Sequence, residues 1–218
     1  MDQIAKAFST GGIWMYIILV VSIFGVGIMI ERFIFLFFKY NINATAFMAQ
    51  IQKLVMANNI DRAIKLCNAA PSAALAKVIK AGLTRANKGE LEIQNAVEEA
   101  TLEVVPHIQK RTNSLQAIAN IATLLGLLGT IIGMIGAFND LANVSADKRQ
   151  EALGRNISLA MNTTAFGLIV AIPCMAAHIF LSGVTKKIID EIDQYSVKLE
   201  NLLISRGRSG GGAEGGER

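Results

Sequence analysis

Hydrophobic positions along this chain are gathered into long blocks rather than spread with the period of a soluble helix or strand. Three blocks lack Asp, Glu, Lys and Arg altogether, and they cover residues 13–30, 117–139 and 157–181. A helix of about 20 apolar residues is long enough to cross a bilayer. We therefore predict three transmembrane helices, over residues 13–38, 115–141 and 157–184. A cleaved signal peptide is the competing interpretation of the first block, but no small-residue cleavage site follows it.

The basic residues between the blocks predict the orientation of the chain. Four Lys and Arg fall in segments 1–12 and 140–156, whereas sixteen fall in segments 39–114 and 182–218. Cytoplasmic segments of membrane proteins carry the excess of Lys and Arg close to the helix ends. We therefore predict a periplasmic N-terminus (1–12), a periplasmic loop (142–156), and a cytoplasmic loop (39–114) and C-terminus, in a bacterial inner membrane.

The cytoplasmic parts are expected to be helical extensions of the membrane helices. Spaced apolar positions predict a helix over 44–57, and Asp61 and Ser72 stand where N-caps of two short helices would be. From Glu90 an amphipathic pattern continues toward the second span, which predicts one long rod with a kink at Pro106. The third span is expected to continue as a cytoplasmic helix over 185–206. The Gly-rich residues 207–218 have nothing to bury and predict disorder.

Composition narrows the class of protein. The chain is 52% hydrophobic and only 17% charged, against about 25% charged residues in a typical soluble domain. Cys67 and Cys174 show no paired spacing, and His107 and His178 show no ligand spacing. No disulfide framework, metal site, cofactor or nucleic-acid partner is predicted. The protein is not expected to be an enzyme, because no metal cluster, Ser–Lys pair or Asp pair lies within the spans.

Small and hydroxylated residues are the candidate functional residues inside the spans. Gly126, Gly129, Gly133 and Gly136 recur at steps of three, four and three, which places them on one stripe of the second helix. Such a stripe permits close helix packing, and packing alone is the plainer interpretation. Candidates for an ion pathway are Thr123, Thr130, Asn162, Thr163 and Thr164. Each hydroxyl could instead bond back to its own helix.

The interior of the spans carries no Asp, Glu, Lys or Arg. A membrane ion carrier normally needs an ionisable side chain, despite a cost of about 2.5–3.5 kcal/mol at the helix centre. Apart from His178 the interior of the spans holds no candidate carrier, and a structural role fits His178 better than a proton relay. If the protein conducts protons, the titrating group must come from another polypeptide.

Three segments resemble the proton-channel family of ExbB, TolQ and MotA, in the order found there. ATLLGLLGTIIGMI (122–135) resembles the second-span signature, and TTAFGLIVAIP (163–173) resembles the third-span signature. NIDRAIKLCNAAPSAALAKVIKAGL (59–83) resembles the cytoplasmic-loop motif. The number of spans fits ExbB and TolQ better than the four-span MotA type.

The resemblance implies a homopentamer around a central pore that holds helices of a single-span partner like ExbD or TolR, which carries a membrane Asp. It implies that the proton-motive force is converted into mechanical work for outer-membrane transport, envelope maintenance or gliding motility. Thr130 and Thr164 would take the positions of the pore threonines. Helix packing would involve the four glycines above together with Gly167, Ala171 and Pro173. A membrane scaffold that conducts nothing is the alternative.

Two positions depart from the family pattern. Leu159 stands where ExbB and TolQ commonly carry a Glu, and Thr123 stands where a Pro is frequent. Any part that this Glu plays in ion access is therefore absent or moved. The choice between protons and sodium ions stays open from the residues alone, because hydroxyl groups suit both.

Overall fold

A computed structural model describes residues 12–40 and 42–211, and the regular structure within them is helical. Helix α1 is followed directly by a π-helical segment, Phe35–Tyr40, and a short 3-10 turn, Ala146–Lys148, precedes the last helix. The helices are α1 Gly12–Ile34, α2 Ala44–Met56, α3 Ile60–Ala69, α4 Ala74–Thr84, α5 Glu90–Gln109, α6 Thr112–Asn143 and α7 Arg149–Gly211.

Among the described residues, three stretches of helix are long and apolar enough to cross a membrane, in the number and order that the sequence predicts. They are Gly12–Phe38, Glu90–Asn143 and Ala146–Arg206. Many apolar side chains on them point outward: Leu124 is 63% exposed and Ile169 is 65% exposed. Apolar surface of this extent needs lipid or another protein to cover it.

The described residues form two compact units, and the first unit combines residues 12–32 with Arg111–Phe180. Its core joins α1, α6 and α7 through small residues, with Ile18, Ala119, Ala122, Val170, Ala171 and Cys174 buried together. Gly25 of α1 lies directly against this core. A Cβ atom there would stand 3.0 Å from the Cys174 sulfur and 3.1 Å from Ile118.

The second unit combines residues 33–40 and 42–110 with residues 181–211. Helix α2 contacts α3, α3 contacts α4, and α4 contacts α5. The last part of α7 joins this unit: Leu199 lies against Gly82, and the Tyr195 hydroxyl is 3.2 Å from the hydroxyl of Thr45. The apolar positions that predict α2 are its buried residues, which include Met48, Ile51 and Val55.

The prediction of one uninterrupted rod from Glu90 through the second span is wrong. Helix α5 runs past Pro106 without a break and ends at Gln109; Lys110 is extended, and Arg111 adopts a left-handed conformation with φ of 61°. Lys and Arg are both good helix formers, so nothing local stops the helix here. The Arg111 side chain bonds the Glu31 carboxylate at 2.6 Å, and this tertiary contact accompanies a left-handed conformation whose strain is of order 1–3 kcal/mol.

The predicted N-caps are also wrong. Helix α3 is capped by Asn59 and α4 by Ala73, and neither cap side chain bonds the helix. Asp61 lies in the first turn of α3, where its charge still suits the positive end of the helix dipole.

Helix α7 continues to Gly211, so residues 207–211 are helical where disorder was predicted. Residues 212–218 and the predicted periplasmic segment up to residue 11 lie outside the described residues.

Candidate ion-pathway site

A seam of small residues joins α6 to α7. A Cβ atom built on Gly126 would stand 3.2 Å from the Thr164 Cα, and one on Gly133 would stand 2.7 Å from the Ala160 Cβ. On the other helix, a Cβ on Gly167 would stand 2.7 Å from the Ala122 carbonyl oxygen. The two backbones are therefore in direct contact, which the absence of side chains at these positions permits.

Gly129 and Gly136 face polar side chains across the same seam. Gly129 lies under the side chain of Thr163, and a Cβ on Gly136 would stand 2.9 Å from the Asn156 amide oxygen. Pro173 is exposed, and α7 passes through it as a helix. Five of the glycines that the sequence singles out thus lie at one interface, whereas Pro173 does not.

Thr163 is fully buried and its hydroxyl is committed to its own helix. Its Oγ1 donates toward the Ala160 carbonyl at 2.9 Å and the Leu159 carbonyl at 3.0 Å. This is the back-bonding that the sequence leaves open. Because Gly129 closes over the side chain, Thr163 acts here as a packing residue of the seam.

The Thr164 hydroxyl crosses from one helix to the other. Its Oγ1 donates to the Gly126 carbonyl oxygen at 2.9 Å, and the residue is half-buried. Thr130 and Thr123 on α6 donate to carbonyls of their own helix, Leu127 at 2.6 Å and Ala119 at 3.0 Å. A hydroxyl has one proton to donate and two lone pairs to accept with, so these three groups retain capacity to accept hydrogen bonds.

Helical spacing places the three threonines on one side of the α6–α7 pair. On α6, Ile118 and Leu125 pack on the core shared with α1, so they mark the flank of the glycine stripe that faces α1. Because successive residues of a helix are rotated by about 100°, Thr123 and Thr130 lie on the other flank of the stripe.

The matching division on α7 separates Asn162 from Thr164. Helical spacing places Asn162 on the same side of α7 as Leu159 and Phe166. That side faces α1, because Leu159 lies next to Gly12 and Phe166 packs on the core that α1 shares. Thr164 is two residues further along the helix, about 200° away. The Asn162 amide bonds the Ser158 hydroxyl at 3.3 Å. A single ion path along the face of Thr164 therefore does not include Asn162.

Two polar contacts that the sequence did not indicate hold the ends of the α6–α7 pair. At one end the Asn156 amide donates to the Asp140 carboxylate at 2.7 Å. At the other end the His178 Nδ1 lies 2.9 Å from the Thr112 carbonyl oxygen. Asp140 follows the apolar block directly, but its partner is sixteen residues away across a loop, so only the folded hairpin reveals the pair.

Two charged residues, Glu31 and Arg32, lie near the C-terminal end of α1. Arg32 is only 3% exposed, and the neighbouring Glu31 binds Arg111. Arg32 directly follows Glu31 after the first uncharged block, and the sequence did not indicate that it is buried.

Metal and thiol chemistry find no support in the described residues. They contain no group of three His, Cys, Asp or Glu side chains that could hold a metal ion. Burial raises the pKa of the Cys67 thiol to about 11, with a smaller opposing effect of Lys80. That thiol is protonated at neutral pH and unreactive.

Comparison with known proteins gives a family match over the central part of the chain. The model of the MotA/TolQ/ExbB proton channel family matches residues 70–194. A protein of Methanothermobacter thermautotrophicus, called a putative biopolymer transport protein ExbB homolog, is 25% identical over 88% of this chain and 66% of its own length. Biopolymer transport protein exbB1 of Vibrio cholerae is 40% identical over 31% of this chain and 30% of its own length.

Two further similarities span most of the chain. A Synechocystis protein called putative biopolymer transport protein ExbB-like 3 is 29% identical over 79% of this chain and 82% of its own length. The solved structure of C. jejuni MotAB is 13% identical and covers 89% of this chain and 85% of the matched chain, with a TM-score of 0.48.

Proposed function

The chain belongs to the MotA/TolQ/ExbB proton channel family, and from this premise we propose that it is the channel subunit of an inner-membrane motor that converts the proton-motive force into mechanical work. Copies of the chain, five by analogy with the family, would surround the membrane helices of a single-span partner like ExbD or TolR. The work would serve outer-membrane transport, envelope maintenance or gliding motility.

The observation that carries this proposal is a row of hydroxyls with no carboxylate beside it. Thr123, Thr130 and Thr164 share one flank of the α6–α7 pair, and residues 112–139 and 156–185 contain no Asp, Glu, Lys or Arg. Hydroxyls can solvate a proton-carrying group, but they do not titrate near neutral pH. A partner that brings an Asp into the membrane supplies the group that this chain lacks.

The threonines can serve both states of a partner Asp. A protonated carboxyl donates its proton to a hydroxyl oxygen, whereas a carboxylate needs the hydroxyl to donate instead. Thr164 can make that change by releasing the Gly126 carbonyl. Each donated bond lowers the cost of the charged acid, which is about 2.5–3.5 kcal/mol without such help.

Orientation follows from the charges at the helix ends. Lys110, Lys186 and Lys187 lie close to the predicted membrane boundary on one side. With these residues in the cytoplasm, the Asp140–Asn156 end of the hairpin would face the periplasm, from which protons enter.

Substitution of Thr164 by Val tests the proposal. Val keeps the shape of Thr and removes the hydroxyl, so Thr164→Val should preserve oligomer size and abolish partner-dependent proton uptake into proteoliposomes that contain both proteins. Asn162→Leu is the matched control on the opposite flank of the same helix, and proton uptake should persist in that variant. Undiminished uptake in Thr164→Val would refute the role of the hydroxyl.

A structural scaffold is the second candidate function. It is favoured by the observation that Thr123, Thr130, Thr163 and Thr164 all donate to backbone carbonyls of this same chain. In a scaffold the partner Asp is dispensable. Proton uptake that vanishes when this Asp is changed to Asn excludes the scaffold, and absence of uptake in the native complex supports it.

A further inference from the structure

A basic groove opens between α2 and α3 in the second unit. Its volume is about 510 Å³, and its lining residues are Gln50, Lys53, Leu54, Arg62, Lys65 and Leu66. The three cations are exposed, whereas the two leucines are half-buried and provide an apolar floor. Within the described residues no carboxylate pairs with these cations. The groove thus has the chemistry to accept an apolar side chain flanked by acids.

Helix α5 presents that combination on its exposed face. The helix carries five Glu and no Lys or Arg. Leu91 and Leu102 are 70% and 68% exposed, and their spacing of eleven residues, about three turns, puts them on one face. Glu98 and Glu99 lie one turn before Leu102, on either side of it. We call these four residues the acidic ridge.

The two carboxylates of the acidic ridge are exposed, and each has a charged neighbour in its own chain: Glu99 lines a groove with Lys77, Lys80 and Arg85, whereas Glu98 lies near Glu200. Burial raises the pKa of the Glu200 carboxyl of α7, and the neighbouring charge of Glu98 raises it further. Two carboxylates held together in this way favour the approach of a cation. By contrast, Glu92 on the other side of α5 is already paired with Arg85 at 3.2 Å.

The groove lies between the first two, and the ridge on the last, of four consecutively packed helices. Contacts join α2 to α3, α3 to α4 and α4 to α5, so the groove and the ridge belong to different helix pairs of this run. Complementary surfaces placed in this way produce a head-to-tail contact between copies, which closes into a ring when the rotation permits.

We propose that the acidic ridge of one copy docks into the basic groove of the next copy, with Leu102 between Leu54 and Leu66 and with Glu98 and Glu99 against the three cations. The occupant is a second copy of this chain, because the ridge supplies both the apolar side chain and the charges that the groove lacks. The inference rests on the homo-oligomeric channel proposed above and assigns its cytoplasmic contact.

Paired cysteines test the contact in the full-length protein in membranes. Leu66→Cys and Leu102→Cys are combined in one chain after Cys67 and Cys174 are changed to Ala. Oxidation should give a ladder of covalent oligomers that ends at the ring size, because every copy bonds two neighbours. Leu102→Cys alone should give no dimer, because a head-to-tail contact does not bring identical residues together.

A matched pair controls for random collision. Met56 lies on α2 and is 78% exposed, but it is outside the groove, so Met56→Cys with Leu102→Cys should give no ladder. Reversal of two groove charges, Arg62→Glu with Lys65→Glu, should lower the cross-link yield about fivefold. Adding Glu98→Lys to the reversed groove should restore the yield.

Three results would overturn the proposal: no ladder from an oligomer that stays intact by native mass, equal ladders from both pairs, or a dimer from Leu102→Cys alone. Loss of co-purified anionic lipid on groove reversal, without any ladder, would also overturn it and identify a lipid site instead. Proton uptake with the partner tests the channel separately, so conduction without cross-linking removes only the contact inferred here.

Discussion

The contact between Gly167 and α6 predicts that a single methyl group will disturb the hairpin. A Cβ at residue 167 would stand 2.7 Å from the Ala122 carbonyl oxygen and 3.1 Å from the Gly126 Cα, while ordinary contact begins at 3.4 Å. Both neighbours are backbone atoms and cannot rotate away. Gly167→Ala must therefore separate the helices locally by about 0.7 Å, the difference between 3.4 and 2.7 Å.

This displacement is enough to break the bond between Thr164 and Gly126, three residues earlier on α7. The present distance of 2.9 Å would become about 3.6 Å, which is too long for a hydrogen bond. Overpacking of a close contact typically costs about 1–3 kcal/mol. Opening of the hairpin should consequently be about 5–150-fold more frequent in Gly167→Ala.

Maleimide labelling of Cys174 measures this opening. Cys174 is 2% exposed in the core of the same unit, so it reacts when the helices part. The measurement uses purified protein in micelles with Cys67 changed to Ala. Gly183→Ala is the control on the same helix, because a Cβ there would meet nothing within 4 Å and should stabilise the helix. Equal labelling rates in Gly167→Ala and Gly183→Ala would refute the close-packing argument.

Three other changes give sharp expectations. Asp140→Ala should speed Cys174 labelling because the bond from Asn156 is lost, whereas Asp140→Asn keeps an acceptor and should label nearly as slowly as the native protein. In a Cys174→Ala variant, the pKa of the Cys67 thiol, followed by its thiolate ultraviolet absorbance, should be about 11; a pKa at the ordinary value of 9.0 would show that the thiol is not buried. Because the pKa of the Glu200 carboxyl is raised in the folded protein, the protonated carboxyl stabilises the fold at low pH. That stabilisation is lost as the pH rises through the raised pKa. Glu200→Gln should therefore raise the thermal midpoint at neutral pH and leave it unchanged well below pH 4.5.

The sequence predicts structure best where a single physical requirement applies to many consecutive residues. A membrane helix must be apolar throughout, so the three long helices could be predicted from the uncharged blocks. The glycine stripe was also readable, since Gly126, Gly129, Gly133 and Gly136 share a face by spacing alone. Which helix they meet could not be read, because α7 supplies Thr163, Ala160 and Asn156 from a separate segment.

Prediction failed where distant contacts decide the local conformation. Lys110 and Arg111 interrupt two helices although both favour helix, and the side chain of Arg111 bonds Glu31, which is eighty residues away in sequence. Asn162 and Thr164 looked like one polar patch in sequence, and only the position of α1 shows that they lie on different sides. Short-range spacing carries no information about which neighbour covers which side of a helix.

The contrast between Thr163 and Thr164 suggests how helix packing and ion movement are linked. Thr163 is enclosed by Gly129 and cannot rotate without parting the helices. Thr164 donates to the carbonyl oxygen of Gly126, which also accepts the backbone N–H of Thr130 within α6. If the Thr164 hydroxyl turns away, the Gly126 oxygen therefore still has a hydrogen-bond partner. The hydroxyl that ties the helices together is thus also the one that can leave at least cost. In the proposed complex, a partner carboxylate that accepts a hydrogen bond from Thr164 would loosen the seam at Gly126, which would couple the charge of that acid to the spacing of α6 and α7.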